Sequence, residues 1–253
     1  MGRFSWLFVL LLVGCQGART GTAPDAGALG RMIDLGNAQQ VAELLDQGAD
    51  PDAKDAANVP LLHRAVERGD EAVVRTMLEH GADPNAPDAA GRTSLGTAIA
   101  GGTGELMPLL LKHKADPRVV AAGDWSPLHW AIGTQRLEWV AALLDAGVDP
   151  NGDDDGVPVL YVAAGNGTVE IIDLLVKRGA KVDGPAANSG RTPLFAAVLH
   201  SEGMTQALVD RGADLRARDK NGRTPLEYLK AEARNRSDPV LAKRVAFVEG
   251  MAR

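Results

Sequence analysis

A group of four apolar residues recurs along the chain with the spacing of one buried helix face. The spacing i, i+1, i+4, i+5 is typical of an amphipathic α-helix. Because the group returns after 33, 33 and 32 residues, the pattern predicts the same helix copied along the chain. The four groups are Val73-Val74-Met77-Leu78, Leu106-Met107-Leu110-Leu111, Trp139-Val140-Leu143-Leu144 and Ile171-Ile172-Leu175-Val176.

A shorter helix is predicted before each of these amphipathic helices. It carries an alanine that recurs at intervals of 33, 33, 32 and 34 residues, and small side chains let such a helix lie close to its neighbour. A glycine such as Gly102 is expected to end the short helix, and a turn such as Gly81-Ala82-Asp83 follows the long one. A fixed period of this length indicates one two-helix unit that is copied and stacked. The recurring alanines are Ala65, Ala98, Ala131, Ala163 and Ala197.

Each unit opens on a short motif, seen most clearly at Ser126-Pro127-Leu128-His129-Trp130-Ala131 and at Thr192-Pro193-Leu194-Phe195-Ala196-Ala197. The motif, the helix pair and the period resemble the ankyrin repeat, whose signature includes T-P-L-H-x-A. The resemblance covers about residues 27–253. It implies an all-α repeat solenoid of paired antiparallel helices joined by β-turn fingers. About six to seven units are expected, namely an N-terminal cap at 27–58, repeats at 59–91, 92–123, 124–155, 156–189 and 190–221, and a C-terminal cap at 222–253.

Several local expectations follow for the repeats. Lys114 and Gln135 stand where other units have a helix-ending glycine, so a left-handed backbone there would cost about 1 kcal/mol. The resemblance implies that the motif histidines, His63 and His129, bond to backbone in the adjacent turn. At the C-terminal end, three valines are predicted to close the final helix, and they are Val240, Val245 and Val248.

The N-terminus follows a different pattern. Residues 4–13 are almost unbroken apolar sequence after a single Arg3. Ten helical residues span about 15 Å, too short for a hydrocarbon core of about 30 Å, so the stretch predicts a signal peptide over residues 1–14. Its end, Leu12-Val13-Gly14-Cys15, resembles the lipobox of bacterial lipoproteins and implies a lipid on Cys15. An ordinary secretory signal with an incidental cysteine is the alternative.

Residues 15–26 are expected to be the lipidated cysteine and a flexible tether, because Gly, Ala, Thr and Pro bury little apolar surface. The residue after the cysteine is Gln16. By resemblance to lipoprotein sorting in Gram-negative bacteria, an aspartate at this position would favour the inner membrane. We therefore expect a lipid-anchored protein of the bacterial cell envelope, attached to the outer membrane and facing the periplasm. Cys15 is the only cysteine, so no disulfide is expected.

Composition and motifs argue against several functional classes. The net charge is −6 and no basic stripe is visible, which argues against nucleic-acid binding. No phosphate loop or catalytic motif is recognisable, so we expect no enzyme and no cofactor. Asp153-Asp154-Asp155 raises the question of calcium, but the residues after Gly156 are apolar and a solvated turn tip is favoured. A monomer is expected.

Ankyrin arrays bind other proteins through their turn fingers and the concave edge of their first helices, and the resemblance carries these roles over by position. Trp125 differs from its equivalents Arg92 and Val157, and tryptophan and arginine are enriched in binding hot spots. Packing of Trp125 against the next finger is the alternative. The candidate finger residues are Arg92, Trp125, Val157, Arg191 and Arg223, and the candidate helix ends are Glu67, Arg68, Thr134, Asn166, Leu199 and His200.

The function expected from these features is that of a non-catalytic protein–protein interaction module anchored in the envelope. One alternative is an immunity or inhibitor protein that neutralises a toxin or enzyme in the periplasm, or a protector of an envelope enzyme. An enzyme using the concave face would need converging ionisable side chains, whereas Gly133, Thr134, Gly165 and Asn166 line its middle. A purely structural envelope lipoprotein is a further alternative.

Overall fold

The computed structural model describes residues 25–118 and 126–252, and the helices in these two ranges pair in chain order. A one-turn 3₁₀ helix, Gly104–Leu106, leads into α6, and a two-residue hairpin joins β1 (Asp153–Asp154) to β2 (Val157–Pro158). The fourteen helices of the described ranges are α1 Ala26–Asp34, α2 Ala38–Asp46, α3 Leu61–Glu67, α4 Glu71–Glu79, α5 Ser94–Gly101, α6 Met107–Lys112, α7 Pro127–Gly133, α8 Leu137–Asp145, α9 Val159–Asn166, α10 Val169–Lys177, α11 Pro193–His200, α12 Glu202–Asp210, α13 Pro225–Arg236 and α14 Pro239–Met251.

The helices form two stacked rows with the apolar core between them. The odd-numbered helices α1 to α13 form an inner row in which each helix contacts the next, and the even-numbered helices form the outer row. Val73, Val74, Met77 and Leu78 of α4 are all buried, as the spacing of their group predicts. The all-α repeat solenoid expected from the sequence is confirmed. Because each unit exposes an apolar side to its neighbour, stacking rather than any single unit creates the core.

The helices begin and end at the capping residues and glycines that the sequence indicates. The Thr93 side chain accepts a hydrogen bond from the Gly96 backbone N–H and caps α5. Gly102 ends the same helix with a φ of 74°, in the left-handed region that glycine tolerates. In α7, Ser126 is the N-cap and Pro127 follows in the first turn, where its missing N–H costs nothing.

The two motif histidines link neighbouring units, which confirms their expected role. The His63 Nε2–H donates to the backbone carbonyl of Ala86, 2.9 Å away, and its Nδ1 lies 3.0 Å from the Thr97 hydroxyl. The His129 Nε2–H donates to the Val157 carbonyl at 2.9 Å. Burial lowers the pKa of His63 below its ordinary value, so its ring is neutral at pH 7 and satisfies one donor and one acceptor.

Two asparagines, each two residues after a turn aspartate, connect their unit to the next one. Asn85 accepts a hydrogen bond from the Asp116 N–H at 2.7 Å and donates to the Lys114 carbonyl at 3.0 Å. Asn151 makes the same pair of bonds with Lys181 and Gly179. Arg118 holds the equivalent position between these two units. A guanidinium cannot accept an N–H, so the side chain of Arg118 cannot make the accepting half of this link.

Two positions that lack a helix-ending glycine adopt the left-handed backbone despite its cost. Lys114 has a φ of 68°, where the equivalent Gly81 and Gly147 supply this geometry without a β-carbon. Gln135 has a φ of 58°, where the equivalent residues are Gly69 and Gly102. The Gln135 side chain gains a 2.8 Å hydrogen bond to the Asn166 carbonyl. Replacing Lys114 by glycine would relieve the backbone strain without removing a side-chain hydrogen bond to any described residue, because only the Lys114 backbone is bonded.

Lys114→Gly is expected to raise the free energy of unfolding by about 0.5–1 kcal/mol, since removing the left-handed strain outweighs the added freedom of the unfolded chain. Urea unfolding followed by circular dichroism measures the difference. Lys112→Gly is the matched control, because Lys112 ends α6 and glycine in a helix costs about 0.5–1 kcal/mol. A loss of stability in both variants would contradict the strain at position 114.

One prediction for the C-terminal cap is wrong. Val248 is buried and Val245 packs on the core, but Val240 is 53% exposed and Leu241 is buried in its place. The reason is the start of α14, where the Asp238 side chain accepts from the N–H groups of Val240 and Leu241. That cap sets the phase of the helix so that 241, 245 and 248, spaced by four and three residues, point to the core.

The predicted signal peptide over residues 1–14, the lipidation site Cys15 and the finger residue Trp125 lie outside the described residues. Within the ranges 25–118 and 126–252, no helix is both long and apolar enough to cross a membrane. The tether is likewise outside these ranges, apart from its last two residues. Asp25 caps α1 there by accepting from the Ala28 N–H, and Ala26 starts that helix.

Candidate protein-binding surface

The turn fingers are built around an aspartate that accepts bonds from its own loop. Asp88 accepts from the N–H groups of Ala90 and Arg92, at 2.8 and 2.9 Å. Gly91 has a φ of 79°, which lets the loop close around the carboxylate. The Arg92 side chain then turns back and pairs with Asp88 at 3.0 Å. The predicted contact residue Arg92 is thus tied to its own finger and is only partly exposed.

The last finger repeats this arrangement with a more deeply buried acid. Asp219 accepts from the N–H groups of Asn221 and Arg223 and pairs with the Arg223 guanidinium at 3.0 Å, while its side chain is 0% exposed. Burial alone would raise the pKa of Asp219, but the bonds from the Arg223 and Asn221 N–H groups and the guanidinium outweigh it and lower the pKa. The same balance lowers the pKa of Asp88. Both carboxylates are therefore ionised at neutral pH.

Arg191 connects three units instead of projecting freely from its finger. Its Nη1 donates to the Tyr228 hydroxyl at 3.1 Å, and its guanidinium carbon lies 4.1 Å from the centroid of that ring. Its Nε lies 3.6 Å from the Asp219 carboxylate. The pKa of Tyr161, in the preceding unit, is raised by burial against the opposing effect of the Arg191 cation. The predicted contact residues Arg191 and Arg223 therefore hold the C-terminal fingers together.

Val157, the remaining finger candidate within the described residues, lies in strand β2 and is half-buried. Its carbonyl accepts the bond from His129, so the backbone at this position is also part of the link between units. In the same hairpin, the Asp153 side chain accepts from the Gly156 N–H at 2.9 Å, which is the geometry of a turn tip. Over residues 25–118 and 126–252, no group of three or more His, Cys, Asp or Glu is placed to hold a metal ion.

The candidate helix ends form a row, because each unit places them at the last turn of its inner helix or just after it. Glu67, Arg68, Thr134, Asn166 and His200 are exposed, and Leu199 is half-buried. In the equivalent places α5 carries Ala100 and Gly101 and α7 ends at Gly133, so small residues occupy the middle of the row. We call these equivalent positions the helix-end row. The Thr134 hydroxyl donates to the Trp130 and Ala131 carbonyls, but the other side chains of the row form no ion pair or side-chain hydrogen bond with a described residue, unlike the finger arginines.

Two tryptophans, Trp130 and Trp139, lie where the fourth unit meets the third. Trp139 is buried and Trp130 half-buried, and their rings stack with centroids 5.2 Å apart and 7° between planes. The Arg136 guanidinium covers the Trp139 ring at 4.6 Å from its centroid. The preceding unit meets the stack at Gly104, where a β-carbon would lie 2.7 Å from Trp130 Cη2. This stack is a packing element between units.

Sequence reasoning missed two features of the surface. Tyr228 was not recognised as the residue that both C-terminal finger arginines contact, because it lies 37 residues from Arg191 in the chain. A cavity beside α1, bordered by Arg31 and Lys54, was also missed. The available signal was Gly30, which stands where the next unit has the motif histidine His63.

Comparison with known proteins decides the family. A family model described as "Ankyrin repeats (3 copies)" matches residues 29–121, 62–154, 98–186 and 160–235, which together cover most of the chain. This chain belongs to the ankyrin repeat family. The overlapping matches follow the period of the helix pairs described above, and ankyrin repeats imply a protein–protein interaction module.

Relatives of this ankyrin repeat protein match it over less than half of its length. Protein PhlB of Serratia liquefaciens is 38% identical over 112 residues, which are 44% of this chain and 49% of that protein. BRCA1-associated RING domain protein 1 of Caenorhabditis elegans is 28% identical over 107 residues, 42% of this chain and 15% of that protein. The chain thus spans less than half the length of these curated relatives.

Two solved structures cover the ankyrin array more fully. The ankyrin repeat domain of human ASB11 is 26% identical, with a TM-score of 0.64 over 87% of this chain and 96% of that domain. The ankyrin repeat domain of Bcl-3, described as a unique member of the IκB protein family, is 27% identical, with a TM-score of 0.67 over 82% of this chain and 95% of that domain. Both similarities concern the repeat array itself.

Proposed function

We propose that this ankyrin repeat protein is anchored by a lipid on Cys15 in the bacterial cell envelope, faces the periplasm, and binds a protein partner there without catalysis. The binding surface is the helix-end row together with the exposed parts of the fingers. Support for the anchoring comes from the lipobox-like end of the N-terminal apolar stretch, and support for the binding comes from the ankyrin array.

The exposed helix-end row is the observation that carries the binding proposal. A partner needs side chains that are not already bonded within the fold, and the finger arginines are largely used by Asp88, Asp219 and Tyr228. Asn166 is exposed near the middle of the row, and its side chain forms no hydrogen bond with a described residue. Thr134 is also exposed there, with its hydroxyl bonded to its own helix, and the neighbouring positions are glycine or alanine. Enclosed contacts at the centre of an interface contribute most to the binding free energy, so we expect substitutions in this part of the row to change the affinity most.

Asn166→Arg is expected to weaken binding of the captured partner at least tenfold, because a long charged side chain would enter the middle of the contact. The partner is first captured from the envelope with the wild-type protein and identified, and its affinity is then measured by biolayer interferometry. Gln206→Arg is the matched control, since Gln206 is also exposed but lies on the outer helix α12. Equal affinities for both variants and wild type would reject the helix-end row as the binding surface.

Cys15→Ser is expected to move the protein from the membrane fraction to the soluble periplasmic fraction, because serine cannot take the thioether-linked lipid and the acyl chains provide the anchoring. Cell fractionation and the mass of the mature N-terminus measure the change. Thr22→Ser, in the tether, is the control that leaves the cysteine in place. A wild-type protein that is already soluble and carries no lipid mass would support the ordinary secretory signal instead.

A further inference from the structure

We infer that the cavity at the N-terminal end of the array binds an acidic side chain of the protein partner. The cavity has a volume of about 300 Å³ and lies between α1, α3 and the first finger. This inference rests on the proposed protein-binding function and adds to it the chemistry of one contact. Ligand pockets occupy about 300–1,000 Å³, so this cavity is at the small end and suits a single side chain better than a whole ligand.

The cavity exists because α1 presents small residues where other units present larger ones. Ala26, Gly27 and Gly30 line its α1 side, and Gly30 takes the position of the motif histidine. In the next unit that histidine, His63, fills the space between its helix and the following finger. Leu61 of α3, which is 1% exposed, also lines the cavity and provides an apolar contact for the methylenes of a glutamate.

The described residues around the cavity carry a net charge of +1, from Arg31, Lys54 and Arg64 against Asp34 and Asp55. Among its five charged residues, Asp34 pairs with Arg64 and the Asp55 carboxylate accepts from the N–H groups of Ala57 and Val59. Arg31 and Lys54 also line the cavity, and neither makes an ion pair or side-chain hydrogen bond with another described residue. A carboxylate is the group that complements these two cations, through charge-assisted hydrogen bonds.

The position of the cavity favours a protein partner as the source of that carboxylate. Arg64 borders the cavity and lies on α3, three residues before Glu67 of the helix-end row. The cavity therefore continues the proposed binding surface at its N-terminal end, and one partner can contact both. Charge complementarity at such an edge contributes to the orientation of the partner and to the rate of association.

The test uses the purified protein and a fluorescein-labelled hexaglutamate peptide, with binding followed by fluorescence anisotropy. Lys54→Gln and Arg31→Gln are each expected to weaken binding about three- to fivefold, as for partly exposed ion pairs, and the double variant more than tenfold. Gly27→Leu fills the cavity without changing the charge and is expected to weaken binding by a similar factor. Lys243→Gln, an exposed position on α14, is the control with the same charge change and is expected to bind as the wild type does.

Three results would overturn the inference. Equal losses for Lys243→Gln and Lys54→Gln would show that only overall charge matters, and unchanged binding in a folded Gly27→Leu protein would exclude the cavity. Binding to phosphatidylglycerol vesicles but not to the peptide, with loss in Lys54→Gln, would assign the site to lipid phosphate. These results are separate from the proposed function, which fails instead if wild-type protein captures no partner or if Asn166→Arg has no effect.

Discussion

Asp219→Ala is expected to lower the free energy of unfolding by about 2–4 kcal/mol, the largest loss among single substitutions in the fingers. The fully buried carboxylate accepts from two backbone N–H groups and faces the guanidiniums of Arg191 and Arg223. Its removal leaves these donors unpaired in a buried site, which typically costs 3–5 kcal/mol. We expect the lower range because the two arginine side chains remain 23% and 34% exposed and regain some hydration.

Asp88→Ala is the matched control for this effect. Asp88 forms the same finger turn, but it faces the single guanidinium of Arg92. We therefore expect a loss of about 1–2 kcal/mol, mainly for the unpaired backbone donors. Urea unfolding of both variants at pH 7 measures the difference. Equal losses would mean that the contact between Arg191 and the last finger adds nothing to the stability of the array.

Asp219→Ala is also expected to change how the free energy of unfolding depends on pH. The pKa of Asp219 is lower in the folded protein than in the unfolded chain, so its contribution is fully present above the unfolded value of about 3.9. That contribution is lost as the pH falls through the folded pKa, because protonation then favours the unfolded state. Below about pH 4, Asp219→Ala should therefore lose less stability on further acidification than the wild type does.

The second large effect is expected at the junction of units three and four. Gly104→Ala places a β-carbon 2.7 Å from Trp130 Cη2 and 2.8 Å from Trp139 Cη2, closer than real β-carbons approach. The two rings are stacked on each other, so neither can move away without disturbing the other. Overpacking of this kind typically costs about 1–3 kcal/mol. We expect a fall of several degrees in the melting temperature, measured by calorimetry.

Gly101→Ala provides the control three residues earlier. Its β-carbon would meet no described atom within 4 Å apart from its chain neighbours and its own helix backbone, and the residue ends α5 with ordinary helical backbone. Alanine there is expected to raise the free energy of unfolding by about 0.4–1 kcal/mol, because it restricts the unfolded chain. If Gly104→Ala were as stable as Gly101→Ala, the tryptophan stack would have to be loosely packed, contrary to its geometry.

The sequence anticipated only in part which side chains of the candidate surface are available to a partner, and the finger arginines show why. Their positions after each finger glycine are evident from the period alone. The period does not show whether these arginines are available to a partner. Their availability depends on Asp219 and Tyr228, which lie 28 and 37 residues beyond Arg191. The helix-end row, by contrast, needs no distant partner, and its exposure follows from position within each unit. Trp125 remains a prediction, since it lies outside the described residues.

The sequence by itself determined the helix pairs, their period and their local caps. These depend on residues a few positions apart, as with the cap at Thr93 and the left-handed backbone at Lys114. Only the tertiary structure decided which charges are neutralised and which face of the last helix is buried. Arg64 is paired with Asp34, 30 residues earlier, whereas Arg31 has no ion-pair partner in the part of the chain that the structure describes. Val240 is exposed and Leu241 is buried, so a shift of one residue along the helix decides which of them reaches the core. Interaction energies between charges depend on their distances in the folded protein, and these distances cannot be read from sequence spacing alone.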